Sequence, residues 1–446
     1  MSPAKPINFK IIPILILIVL SLFFRLYQLK DRYIFDWDQA DDATKISEIV
    51  QTLKPRLIGP RVANETGFFV GPFHYYFQIP FYLAANGNPY FGAYAAIFVA
   101  TVTTIFMYLI LSLLFTSNIA FLSALIFAVN YSVTSWNVMY TPLLSLIIFY
   151  ICYRIIQGNK TLLPWLFFTY SFASTTHLVP ASLILPIILT LILSRYQPSF
   201  KQIILSVGLF LLPFLPLIIF DLKHQFINLT ALIHFIFSTK TSTENVPFLF
   251  LRSYWRSLNL FFLTNSILIT ITRITIIFVS LYEIIRNSDK KIRHFELCWV
   301  LTPLFILMFY HGNIPEYYYG ASAIIYPILI ARFISKINFK PIYPAFIIIL
   351  LVCQSQYFSI KPSSITLANK LNLATYLVHQ TTDKVFNLSY DLPNGLNTGF
   401  AYVFKYLGKE PQNIPQGHLY SVFLTSNPPK TGQIVYFNNT IGLVRK

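Results

Sequence analysis

Asp36, Asp38, Asp41 and Asp42 fall within seven residues of a chain in which only 11% of residues are charged. One option for such a cluster is glycosyl transfer from a lipid-linked sugar, in which a carboxylate within hydrogen-bond reach takes the acceptor hydroxyl's proton as that hydroxyl attacks the anomeric carbon. Asp36 and Asp38 are the candidate bases. Asp41 and Asp42 are read as supporting acids or as the N-cap of the helix that follows, since a short carboxylate can accept from first-turn N–H groups. Ile46, Ile49, Val50 and Leu53 recur at i, i+3, i+4 and i+7, which predicts an amphipathic helix there.

Such a transfer has two further requirements. A lipid-phosphate leaving group develops negative charge and needs a positioned cation or a metal, and its tail needs an apolar groove. Lys223 and His224 (IIFDLKHQF), Arg252 and Arg256, and His311 and Glu316 (FYHGNIPEYYY) lie in segments read as facing the same side as the acids. His74 falls in an aromatic segment of that side, and Tyr317, Tyr318 and Tyr319 are candidate sugar or phosphate contacts. Simpler readings stand beside these. Lys223 and Arg256 could meet lipid phosphates, the tyrosines could form an aromatic belt, and His177 reads as a polar turn between two spans.

The elements that must position these residues are membrane helices. Apolar residues make up 55% of the 446, and the mean hydropathy is +0.60. At about 20 residues per span there is room for roughly ten membrane helices and a small domain. Residues 11–29 form the first span, read as uncleaved because no small-residue cleavage site follows it. Further spans are predicted at 90–115, 119–133, 140–156, 162–176, 178–193, 203–220, 267–285, 295–310, 319–334 and 342–357. Residues 67–85, rich in aromatics and interrupted by Pro72 and Pro80, read as a helix lying along the interface.

The fold class is therefore an all-α polytopic membrane protein of about eleven transmembrane helices, followed by a small C-terminal α/β domain outside the cytoplasm. The membrane domain is assigned to 1–357, with its first outer loop at 30–88, and the small domain to 358–446. Short alternating runs at 385–390, 420–425 and 433–437 predict strands there, and 402–407 a short helix. Loops carrying Arg154 and Lys160, Arg195 and Lys201, Arg286 to Arg293, and Arg332 to Lys340 are assigned inside. That places the N-terminus in the cytoplasm and the acidic loop and C-terminal domain outside.

The net charge of +17 fits anionic lipid or substrate, and no basic run sits in a soluble fold that would bind nucleic acid. Cys152, Cys298 and Cys353 lie far apart in apolar runs, with no metal or disulfide spacing, and read as small buried apolar residues.

The stretch Asp38-Gln39-Ala40-Asp41-Asp42-Ala43-Thr44-Lys45-Ile46-Ser47-Glu48-Ile49 resembles the first-loop motif of the membrane-embedded GT-C glycosyltransferases, of the dolichyl-phosphate-mannose protein mannosyltransferase and aminoarabinose transferase type. Gly71-Pro72-Phe73-His74-Tyr75-Tyr76, the run from Phe172 to His177, the run from Pro216 to His224, and Tyr317 through Pro327 resemble later segments of that family in the same order. The resemblance covers most of 10–357 and places Asp38 at the family's catalytic aspartate. It implies transfer of a sugar, with inversion, from a polyprenyl-phosphate carrier to an extracytoplasmic protein, lipid or glycan at the cell membrane. On that reading Asp38 is the general base and Asp36 orients the acceptor, while Lys223, His224 or Arg256, together with His311, would hold the leaving phosphate.

Two departures stand out: Gln39 replaces the family's Glu, and Asp41 occupies a commonly basic position. They leave metal dependence open; no cofactor is called for, and a divalent metal remains compatible. A transporter or flippase of lipid-linked sugars would hold ionisable groups at mid-membrane on broken, repeated helices, unlike this interfacial acidic loop. Two more readings stay open at this level: a polysaccharide ligase using a diphosphate donor, and a non-catalytic scaffold for envelope assembly.

Overall fold

The long apolar runs form helices because nothing but the backbone itself can satisfy backbone N–H and C=O groups in a lipid interior. The computed structural model describes residues 11–62, 67–130, 132–195, 197–237, 248–258, 266–310, 314–339, 341–355, 365–381, 385–412 and 418–446. Among them, Phe91–Ser112, Asn137–Ile156 and Phe200–Lys223 are each long and apolar enough to cross a membrane. The pair Glu316–Ala323 and Ile325–Ser335, bent by 52°, would make a fourth. Shorter apolar helices such as Ile11–Leu26, Ser117–Ala128, Val179–Ser194 and Ile342–Ser355 stand at the other expected positions. The chain is a multi-pass membrane protein.

A charged side chain in the first helix is explained by its partners. Arg25 is buried and donates to the carbonyls of Ala128 (2.7 Å) and Phe127 (3.1 Å), the end of helix Ser117–Ala128. A cation at a helix C-terminus satisfies carbonyls that have no intrahelical partner. Near the ends of three other helices, Arg332 is paired with Glu296, and Glu283 lies 2.6 Å from Lys336.

Two sequence expectations about helices change. The aromatic helix runs only over Phe73–Ala84, because Phe68 to Val70 pair instead with Pro60 to Val62 as a two-stranded extended clip. In it Val62 N donates to the Phe68 carbonyl and Val70 N to the Pro60 carbonyl. The region 221–258, read as a long loop, contains helices Ile227–Phe237 and Leu249–Ser257.

The small C-terminal region folds as a mixed sheet with two helices. Its strands are β1 (Phe386–Asp391), β2 (His418–Leu424), β3 (Gln433–Phe437) and β4 (Ile441–Arg445), in the order β1-β2-β4-β3. β1 and β2 are parallel, joined through helix Phe400–Tyr406; the other pairs are antiparallel. Three strands match the alternating runs seen in the sequence, and this helix overlaps the short helix expected at 402–407, whereas β4 and helix Leu367–Gln380 were not expected. The boundary expected at 357/358 lies outside the described residues. Leu367, Leu373, Phe400 and Leu443 pack with Phe35, Ala43 and Ile46 in one apolar cluster, so this region sits directly against the acidic helix.

Candidate active site

The acidic helix spans Trp37–Thr52, and its N-cap is Asp36 rather than Asp41 or Asp42. The capping box explains the start: Asp36 N–H donates to Gln39 Oε1 at 3.1 Å, so Gln39 performs a structural role at the helix start. A helix beginning at Trp37 carries Asp38, Asp41, Asp42 and Lys45 at i, i+3, i+4 and i+7 on a single face. The flank beside it carries Ala43, Ile46 and Ile49, all buried in the cluster beneath the helix. Burying an isoleucine is worth roughly 1.5–3 kcal/mol, so this apolar face holds the charged one in place.

That charged face opens onto a cavity of 1430 Å³. Asp38, Asp41 and Asp42 line it together with Lys45, Arg56 and Arg61. Trp37, Trp136, Tyr317 and Tyr318 supply aromatic walls, and Tyr317 stacks edge-on to Trp136 at 4.6 Å. Phe235, Ile236, Ile306, Leu307 and Phe309 form an apolar side. Ile236 and Phe309 are largely exposed, which suits a groove continuous with lipid.

Asp38 is exposed within the cavity, whose walls still crowd it enough to thin its solvation. Burial, and then the charges of Asp42 and Asp41, push its carboxyl up to about 6, while His74 acts in the opposite direction. A carboxylate poised near neutral pH is suited to accept a proton. His177 also lines the cavity; burial, and secondarily His74, bring it down to about 4, so at neutral pH it is uncharged. Its Nδ1 accepts from Val179 N–H at 3.1 Å, the polar turn expected from its position.

The remaining sequence candidates divide by location. His74 is fully buried behind the cavity, its Nε2 2.8 Å from Asp42 Oδ2 and its Nδ1 3.1 Å from the Tyr140 hydroxyl. It positions Asp42 and has no route to a phosphate, because helix Phe73–Ala84 turns it inward. Asp36 is likewise turned away from the cavity, its Oδ1 3.0 Å from Lys370 Nζ. Tyr319 is buried, with its hydroxyl donating to the Phe250 carbonyl, because the tight turn Glu316–Tyr319 directs it away from Tyr317 and Tyr318. Arg256 and Glu316 face each other at 3.7 Å outside the cavity lining. Lys223 and His224 line a second hollow of 460 Å³, which shares Arg61 and Phe69 with the first. His311 lies outside the described residues. Among those residues, no group of three or more His, Cys, Asp or Glu side chains gathers as metal ligands.

The cations of the cavity were not singled out in the sequence. Lys45 and Arg56 both approach Glu48, at 3.9 and 2.9 Å. Arg61 pairs with no carboxylate among the described residues; its guanidinium sits over the Phe69 ring at 5.3 Å and its Nε donates to the Gly67 carbonyl. The clip that carries it is tightly fixed. A Cβ on Gly59 would lie 2.0 Å from the Gly71 carbonyl oxygen, so only glycine fits there. Asn228 accepts from Phe69 N–H at 2.6 Å, tying the clip to helix Ile227–Phe237. Arg56 and Arg61 lie in a loop assigned outside, against the positive-inside bias, and that was the available signal.

Replacing His74 by Phe would leave the Asp42 carboxylate buried without its imidazole partner. Loss of one member of a buried pair is expected to cost about 3–5 kcal/mol, read as a lowered melting temperature of the purified protein in detergent.

No protein-family model and no curated protein sequence matches the chain. Solved structures do. ArnT from Cupriavidus metallidurans bound to undecaprenyl phosphate aligns over 98% of this chain and 97% of its own, at 10% identity and a TM-score of 0.61. Its apo form gives 0.62 with the same coverage and identity. The Archaeoglobus fulgidus oligosaccharyltransferase in its apo form aligns over 93% of this chain and 62% of its own, at 11% identity and a TM-score of 0.50. Both proteins are GT-C glycosyltransferases, and the fold of this chain is the GT-C fold.

Proposed function

We propose that this protein is an integral membrane glycosyltransferase that moves a sugar from a polyprenyl-phosphate carrier to a hydroxyl acceptor at the outer face of the cytoplasmic membrane. The observation that carries the reading is one cavity joining a carboxylate raised to about 6 (Asp38), three cations (Lys45, Arg56, Arg61) and an apolar side. The undecaprenyl phosphate bound to ArnT of the same fold supports a carrier of this class.

In the proposed reaction the acceptor oxygen attacks the anomeric carbon as Asp38 takes its proton. The bond from that carbon to the phosphate oxygen breaks, with inversion, and polyprenyl phosphate leaves with the electron pair. Arg61, with Arg56 and Lys45 behind it, meets the charge that develops on the phosphate. Trp136 and Tyr317 offer faces against which a sugar ring can stack, and Phe235, Ile236 and Ile306 offer the isoprenoid an apolar path. Lys223 and His224 lie beyond Arg61, where they would receive the phosphate on its way out rather than hold it during the reaction.

Incubating the purified protein with radiolabelled polyprenyl-phosphate sugars and envelope extract tests this directly. Label should move from the lipid to an acceptor, with release of polyprenyl phosphate that depends on the acceptor. If no carrier in the panel loses its sugar, the reading fails.

A further inference from the structure

Lys370 is the most unusual charge in the C-terminal region. It is completely buried, and its ammonium group donates to the Phe35 carbonyl at 2.7 Å, the Thr398 carbonyl at 2.8 Å and Asp36 Oδ1 at 3.0 Å. An ammonium has three N–H donors, and all three are used. Burying a lysine is expensive unless it is paired and fully hydrogen-bonded. This one is satisfied largely by the two residues that immediately precede the acidic helix.

Other contacts converge on the same short stretch. Leu367 N–H donates to the Tyr33 carbonyl at 2.8 Å, and Ile34 forms a bridge with Thr366. Gly399, at φ +85°, lies so close that a Cβ would be 2.6 Å from the Phe35 carbonyl oxygen. On the helix side, Asp36 is the N-cap and Asp38 sits in the first turn. The first turn of a helix is the part most prone to fray, since its N–H groups have no intrahelical partners, so the anchoring of Phe35 and Asp36 decides whether Asp38 is held in helical geometry facing the cavity.

We propose that Lys370 is a positioning residue for catalysis: by clamping Phe35 and Asp36 it fixes the first turn of the acidic helix and thereby aims Asp38 at the reacting centre. The C-terminal region would then be part of the catalytic apparatus, although none of the residues it contributes lines the cavity among the described ones. Burial lowers the Lys370 ammonium below its ordinary value while Asp36 opposes this, as expected for a charge retained by its partner. The proposal deepens the glycosyltransferase reading and rests on it for the effect on turnover, though not for the effect on the helix.

The test combines hydrogen exchange with kinetics on full-length protein in detergent, for wild type, Lys370→Met and Asp36→Asn. Asp36→Asn removes the same ion pair while leaving the lysine its two carbonyls, and so serves if Lys370→Met fails to fold. Faster amide exchange is expected in the first turns of helix Trp37–Thr52, with transmembrane helices unchanged. Turnover is expected to fall on the order of 10²-fold, as for a misplaced catalytic group, with KM for the polyprenyl-phosphate sugar within about twofold because the cavity cations are untouched. Unchanged exchange in that helix, or a lowered melting temperature with unchanged turnover, would overturn the proposal. If wild type itself moves no sugar, the glycosyltransferase reading falls, while local exchange still decides whether Lys370 orders the helix.

Discussion

Asp38→Asn is expected to abolish most sugar transfer, lowering turnover by about 10²–10⁴-fold, the span a positioned general base supplies. Binding of the polyprenyl-phosphate sugar should persist, since the amide keeps the size of the carboxyl and leaves Arg61 and the apolar side in place. The variant should also be at least as stable as wild type at neutral pH. The folded-state pKa of Asp38 lies above its ordinary value, pushed up to about 6 by burial and by Asp42 and Asp41. An acid raised in this way penalises the folded state above that pH, and the penalty disappears once the group is protonated in both states. The melting temperature of the Asn variant should therefore equal or exceed that of wild type at pH 7, with the difference fading as pH falls below about 4. A transferase in which Asp38 is only surface acid would lose neither turnover nor this pH-dependent penalty.

Arg61→Ala is the second large effect expected. Lys45 and Arg56 share Glu48, whereas Arg61 sits between both hollows and pairs with no carboxylate among the described residues. Removing one preorganised donor from a developing oxyanion costs on the order of 10²–10³ in turnover. Arg61→Lys should recover part of that loss as a point charge without the guanidinium's fork. Lys223→Ala, on the second hollow, should change turnover much less. Steady-state kinetics with a labelled donor separates these cases. Equal losses at Lys223 and Arg61 would return the phosphate to the position the sequence first suggested.

The sequence carried the fold class because membrane helices announce themselves through apolar length, and the first-loop acids because charge is scarce in this chain. It misplaced the start of the acidic helix. Asp41 and Asp42 are good caps by residue type, but Asp36 has Gln39 three residues on and a lysine from 334 positions away to hold it. That shift of the start turns an apparent loop of acids into a helical face of Asp38, Asp41, Asp42 and Lys45. The cations that line the main cavity were missed for a related reason. Lys223 and His224 sit where a helix ends and look ready, whereas Arg61 reaches the cavity only through an extended clip held by Gly59 and Asn228. His74 had the right chemistry and the wrong orientation, which the spacing of one helix cannot reveal without its neighbours Asp42 and Tyr140. Lys370 was illegible altogether, since its partners are defined only by the packing of the C-terminal region on the first loop.

The most direct test of Asp38 as the base is kcat/KM for sugar transfer measured from about pH 4.5 to about pH 8.5, the profile that reports the free enzyme's essential groups. Transfer requires the ionised carboxylate, so the rate should be half-maximal near the value of about 6 set by the cavity, and level above it. The residual rate of Asp38→Asn should lack that acid limb. A profile that stays flat down to about pH 5, or an Asn variant that keeps both the wild-type rate and the wild-type limb, would contradict the assignment.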